Sequence, residues 1–71
     1  MSNAFEITPD DVYIVALCMG KKIDEDKCEE IHDELDHELV EHEALKALDM
    51  EQQTEAAYQE IERQIREDNL L

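Results

Sequence analysis

Tryptophan is absent from this 71-residue chain, and glycine and proline occur once each, as Gly20 and Pro9. A single glycine excludes the Gly-rich loops that cradle phosphates and dinucleotides, because those loops need several positions where the backbone approaches the ligand without a Cβ. Two cysteines, Cys18 and Cys28, are too few for a disulfide framework. With no secretory leader in the sequence they read as reduced thiols, and the expected location is cytoplasmic. The longest apolar run, Val12 to Met19, covers eight residues, far below the roughly 20 needed to span a bilayer. Basic residues are also scarce: six Lys and Arg face 21 Asp and Glu, giving a formal net charge of -15 and a pI near 4.2. Such a surface repels nucleic acid and anionic membranes.

What is present is apolar content arranged with a period. Acidic chains are often disordered, but here 42% of residues are hydrophobic and recur with helical spacing between capping signals, which predicts a fold. A domain this small buries only about 60% of the surface that its unfolded chain exposes. Self-association is therefore the expected supplement to its stability, since disulfides are too few.

Thr8-Pro9-Asp10-Asp11 reads as a helix start, with Thr8 as N-cap and Pro9 where its missing N–H costs nothing. The first helix is expected over about 9–19. Gly20 supplies the left-handed residue after it, and Lys21 and Lys22 follow at the negative end of the dipole. The β-branched run inside would also suit a buried strand, but a lone strand has nothing to pair with. Asp24 can cap a second helix, with Ile23 and Cys28 spaced as a hydrophobic staple. Cys28, Ile31, Leu35, Leu39 and His42 then form one stripe, predicting a continuous helix over about 25–42. From Glu43 to Leu48 apolar residues crowd together and the stripe shifts, which predicts a short connection. Asp49 with Gln52 resembles a capping box that opens a third helix over about 50–68. Its stripe is Met50, Thr54, Ala57, Tyr58, Ile61 and Ile65, with Glu62 and Arg66 paired outside. The expected class is all-α, a small three-helix unit over 8–71 that a homodimer completes as a bundle. Residues 1–7 are expected to be a flexible arm; Ser2-Asn3-Ala4 is also a common scar of tag removal, so Met1 to Ala4 carry no functional weight.

The second helix holds the dominant feature. From Asp24 to Glu43, 11 of 20 residues are Asp or Glu, with Lys27 the one interruption. As one helix of about 30 Å, it would carry a negative charge every ~2.7 Å, against a phosphate every ~3.4 Å along one DNA strand. That density favours a Lys/Arg-lined groove as the partner. Glu29, Glu30, Asp33, Glu34, Asp36, Glu38 and Glu41 would carry the contact, with Glu43 at its margin. A plain solvated face kept acidic for solubility is the competing reading.

Glu29-x-x-His32 and Glu34-x-x-His37 match the spacing of di-iron helical bundles. Steps of five residues turn a helix by about 140°, however, so His32, His37 and His42 cannot converge on one ion from one helix. A divalent-metal site is the weakest reading, and no cofactor is expected. Catalysis lacks a nucleophile turn, and a chain this short can hardly enclose the desolvated pocket that a general acid needs. Phe5, Tyr13 and Tyr58 read as core or staple residues, with Tyr58 also able to anchor an interface.

Ala44 to Ile61 follow the pattern A-L-x-x-x-D-M-x-x-Q-T-x-x-A-Y-x-E-I, which resembles the C-terminal half of small acidic proteins encoded by phages and bacterial accessory genomes. The opening Thr8-Pro9-Asp10-Asp11-Val12 is similar to the start of such proteins. No single activity belongs to that group, so the resemblance implies a setting, one in which inhibitors of host DNA-binding machinery recur, anti-restriction and anti-CRISPR proteins among them.

Two function classes follow. The first is a non-enzymatic inhibitor or regulator of phage type, whose acidic helix occupies a basic groove on a host nucleic-acid-binding protein. The second is a homo-oligomeric structural protein held together through Leu35, Leu39, His42, Ile61 and Ile65, with acids serving solubility alone.

Overall fold

The computed structural model describes residues 7–71, and the chain there is all-α, with four helices in place of the expected three: α1 (Pro9–Cys18), α2 (Glu25–Glu34), α3 (His37–Leu45) and α4 (Met50–Asp68). Among the described residues there is no strand. Most of the expected arm, residues 1–6 with Phe5, lies outside the described residues; Ile7, its last residue, is packed into the core.

One local device opens the helices. Each N-cap is preceded by an aliphatic residue: Ile7-Thr8, Ile23-Asp24, Leu35-Asp36 and Leu48-Asp49. The three aspartates accept the backbone N–H three residues on, from Lys27 at 2.8 Å, Leu39 at 3.2 Å and Gln52 at 2.8 Å. Thr8 is capped the other way round, its N–H donating to the Asp11 carboxylate at 2.9 Å. In the first three helices the aliphatic residue and the one five positions on, Val12, Cys28 and Val40, turn toward the core, the arrangement of a hydrophobic staple. The fourth departs from this: Leu48 is 95% exposed and Met50 79%, so Met50 does not belong to the buried stripe expected of it.

The ends are equally local. Gly20, at φ +80°, follows α1, and the N–H of Lys21 reaches back to the Ala16 carbonyl at 2.9 Å. Asn69 plays the same left-handed part after α4, with the Leu70 N–H on the Ile65 carbonyl at 3.0 Å.

α1 packs against α2 and α4, and α3 lies along α4. The core between them is Ile7, Val12, Val15, Ile31, Leu35, Val40, Ala44, Ala57, Ile61 and Ile65. The break in the expected second helix falls at Leu35, whose extended backbone (φ -70°, ψ 148°) separates α2 from α3. Its reason is rotational. On a continuous helix, at about 100° per residue, Val40 and Ala44 would point roughly 120° and 160° away from Cys28. Stopping and restarting the helix lets both sets of residues face one core. The stripe expected across the break changes with it: Leu39 is half-buried and His42 is exposed.

A polar bolt joins α1 to α4. The Tyr58 hydroxyl donates to Asp11 Oδ1 at 2.8 Å, so the carboxylate that receives the Thr8 N–H also holds the middle of α4. Tyr58 thus anchors an intrachain contact. Burial, then the hydrogen bond to Asp11, pushes its phenol up to about 12 from 10.0. The folded chain therefore holds this proton more tightly than the unfolded chain between those values. The resulting stabilisation is complete below pH 10 and is lost as pH rises toward 12. Tyr58→Phe is expected to cost about 1–2 kcal/mol near neutral pH, and urea denaturation of both proteins should show that difference shrinking between about pH 10 and about pH 12. A pH-independent difference would mean that the hydroxyl contributes packing alone.

Candidate functional site

The acidic segment is a bent surface made of α2, the Leu35-Asp36 joint and α3. α2 presents Glu25, Asp26, Glu29, Glu30, Asp33 and Glu34 on its solvent side, all exposed, while Cys28 and Ile31 face inward. Steps of four residues arrange them as two rows, Glu25-Glu29-Asp33 and Asp26-Glu30-Glu34, with about 6 Å between neighbours in a row. Lys27 lies 4.0 Å from Glu30, an exposed pair at the outer limit of an ion pair, and His32 Nδ1 lies 3.9 Å from Asp33. α2 therefore carries six carboxylates and one lysine over ten residues, a net charge every ~3 Å along ~15 Å of axis. The density expected from the sequence survives, but in a straight stretch half as long.

The remaining expected contact residues differ in kind. Glu38 is exposed and Glu41 half-buried on α3, and neither has an ion-pair partner among the described residues. Glu43 is paired with Lys46 at 3.0 Å. Asp36 is exposed, but its carboxylate caps α3 through the Leu39 N–H, so it is a structural acid as well as a surface one. Beside them, an open hollow of about 490 Å³ is lined by Asp36, Glu38, Leu39, Glu41, His42 and Leu45. A lining that mixes leucines with carboxylates suits a Lys or Arg side chain, whose stem is hydrocarbon and whose head is cationic.

The joint depends on Gln64, which no sequence pattern had marked. Gln64, buried on α4, grips the Asp36 backbone at both ends: its Oε1 accepts the Asp36 N–H at 2.7 Å and its Nε2 donates to the Asp36 carbonyl at 3.3 Å. The same Nε2 donates to Glu60 at 3.0 Å. Glu60, 7% exposed, also receives Arg63 Nε and a terminal nitrogen at 2.9 and 2.5 Å, and Arg63 bridges on to Glu67. The guanidinium holds the Glu60 carboxyl below its ordinary range, against the opposing effect of burial and with help from Gln64.

The histidines complete the joint. His32 Nε2 donates to the Ile7 carbonyl at 3.0 Å, and His37 Nε2 to the His32 carbonyl at 2.5 Å, capping the end of α2. A carbonyl can only accept, so each Nε2 carries its proton here. The two rings meet edge to face, 4.4 Å between centroids. Of the E-x-x-H pairs, Glu34 and His37 fall on opposite sides of the break, and among the described residues no three His, Cys, Asp or Glu side chains are grouped to hold an ion.

The expected oligomer contact is corrected as well. Leu35, Ile61 and Ile65 are enclosed in the core of the single chain, so they cannot meet a second copy unless that core opens. Only Leu39 and His42 of that set reach the surface. Cys28 is buried, and burial followed by Asp24, Asp10 and Glu25 pushes its thiol up, which keeps it protonated and unreactive. No helix among the described residues is long and apolar enough to cross a membrane.

Comparison with protein families, with curated proteins and with solved structures gives no match.

Two outcomes are expected from this geometry. Gln64→Leu removes the partner of the Asp36 N–H and one of the two donors to its carbonyl, which keeps the Val40 N–H at 3.1 Å, and should cost about 1–3 kcal/mol in urea denaturation, whereas Gln59→Leu, at an exposed position of the same helix, should cost less than about 0.5 kcal/mol. Because so few acids are paired, raising NaCl from about 0.02 to about 0.5 M should raise the melting temperature by several degrees, as screening weakens their repulsion. A salt-independent melt in circular dichroism would mean that the carboxylates do not repel one another appreciably.

Proposed function

We propose that this chain is a non-enzymatic, protein-binding inhibitor or regulator, whose α2–α3 acidic surface occupies the basic nucleic-acid-binding groove of a host protein. One observation carries the reading: the two exposed rows of carboxylates on α2, left almost without cationic partners. Helix stability accounts for Glu25 and Asp26, which sit in the first turn of α2 at the positive end of its dipole, but not for the rest. Asp33 and Glu34 sit in the last turn of α2, where a negative charge opposes the dipole at a cost of about 0.3–1 kcal/mol each. The cations of α4, by contrast, are paired with neighbouring acids, Arg63 with Glu60 and Glu67, and Arg66 with Glu62 at 3.0 Å. A Lys/Arg-lined groove would relieve the repulsion on α2, and long-range attraction would speed the encounter.

The rows have the charge density of one nucleic-acid strand over about four nucleotide steps. α3 extends the acidic surface beyond the bend, with the Leu39–Leu45 hollow as a seat for one cationic side chain. The resemblance of Ala44 to Ile61 to small acidic phage proteins agrees with an anti-restriction or anti-CRISPR style of action in the cytoplasm. Direct nucleic-acid and membrane contacts are disfavoured by the same field.

The test is capture from bacterial lysate at low salt on the tagged protein, followed by elution with short duplex DNA. DNA is expected to release a nucleic-acid-binding protein. A variant with Glu29→Gln, Glu30→Gln, Asp33→Asn and Glu34→Gln should lose that protein at least about tenfold, since each exposed charge contributes up to ~1 kcal/mol, while keeping its helical circular dichroism. Equal recovery on the variant would remove the acidic surface from the mechanism.

A further inference from the structure

The row of α2 that begins at Glu25 borders α1. Glu25 and Glu29, with buried Cys28 beside them, line an open hollow of about 520 Å³ together with Asp10 and Tyr13 of α1 and Ile23 ahead of the α2 cap. Tyr13 and Ile23 are half-buried, whereas Asp10, Glu25 and Glu29 are exposed. None of these three carboxylates has a hydrogen bond or an ion pair among the described residues, and the lysines nearest in sequence, Lys21, Lys22 and Lys27, do not line the hollow. Carboxylates of both helices act on one buried point: burial first, then Asp24, Asp10 and Glu25, push the Cys28 thiol up. The starts of α1 and α2 also bring the positive ends of their dipoles, roughly half an elementary charge each. Asp11 and Asp24 already meet those ends, so the three remaining carboxylates leave the hollow negative.

We propose that this hollow receives an arginine side chain of the basic partner, its guanidinium between the carboxylates of α1 and α2 and its flat face against Tyr13. This seat rests on the acidic-surface reading above and adds α1 to that surface. Charge complementarity selects a cation, and the tyrosine selects which one. A guanidinium is planar, weakly hydrated and stacks on aromatic faces, and its five N–H groups can serve carboxylates on more than one side. A lysine ammonium is compact and strongly hydrated, so bringing it against Tyr13 and Ile23 strips more water from it. The hydrocarbon stem of the arginine covers Ile23 as the head enters.

Two probes of equal charge, tri-arginine amide and tri-lysine amide, test this on the full chain by NMR titration at low salt, where exposed charges are least screened. Tri-arginine is expected to shift the amide signals of Tyr13, Ile23, Glu25 and Glu29 most, and to bind several-fold more tightly than tri-lysine. Tyr13→Leu keeps every charge and should remove that preference with unchanged circular dichroism. Glu29→Gln should weaken tri-arginine several-fold more than Glu55→Gln, which removes the same charge from an exposed position of α4. Equal binding of the two peptides, a preference for arginine that survives Tyr13→Leu, or shifts that leave Tyr13 and Ile23 unmoved each overturn the proposal. The lysate capture answers separately for the acidic surface: a captured protein that binds Tyr13→Leu as well as the unaltered chain keeps that surface and removes the arginine seat, whereas its loss on Tyr13→Leu supports the seat.

Discussion

The grip of Gln64 on the backbone of Asp36 is the contact that the rest of the arrangement depends on. A helix that stops in mid-sequence leaves carbonyls and N–H groups without partners, and at the Leu35-Asp36 joint these must be satisfied in place. Gln64 satisfies the Asp36 N–H and adds a second donor to its carbonyl, His37 caps the His32 carbonyl, and Asp36 supplies its own cap to α3. With those groups paired the break is tolerated, and Ile31, Leu35, Val40 and Ala44 all reach one core. A buried amide with both ends engaged also fixes where α4 sits against the joint, because an amide offset by one turn would strand its donor and acceptor. Glu60 and Arg63 extend the same network along α4.

A second constraint is the acid load, which the fold meets by giving carboxylates structural work at helix N-termini. Asp24, Asp36 and Asp49 each cap a helix, and Asp11 serves both the Thr8 N–H and the Tyr58 hydroxyl. At those positions a negative charge meets the positive end of a helix dipole, so the acid stabilises the fold it would otherwise burden. Glu29, Asp33, Glu34 and Glu41 have no such work on α2 and α3, so much of the acidic surface there consists of carboxylates that neither cap a helix nor pair closely with a cation.

Much of this was legible in the sequence. The caps at Thr8, Asp24 and Asp49, the left-handed Gly20 and the Glu62–Arg66 pair all depend on neighbours within five residues, and local pattern predicts such features well. The break at Leu35 was missed because Leu35, Leu39 and His42 continue a stripe that a longer helix would also show, with neither glycine nor proline to mark the stop. Its signal was present in another form: Leu35-Asp36 repeats the aliphatic-Asp pair of Ile23-Asp24 and Leu48-Asp49, with Val40 at the staple position. Gln64 and Glu60 were illegible for a different reason. Gln64 falls seven residues after Ala57 and three after Ile61, at the edge of the apolar stripe, but what its amide does there is decided by the Asp36 backbone, a meeting that spans 28 positions of sequence. The histidines were misjudged likewise, since their partners are backbone carbonyls that no side-chain spacing encodes.

The proposed encounter of the α2–α3 surface with a basic groove would act over a Debye length, about 8 Å at physiological salt, and would fade as salt rises. The same salt relieves the repulsion among the carboxylates of the free chain. Screening therefore favours the folded chain while it disfavours the proposed complex, because one set of crowded, outward carboxylates on α2 burdens the first and would drive the second.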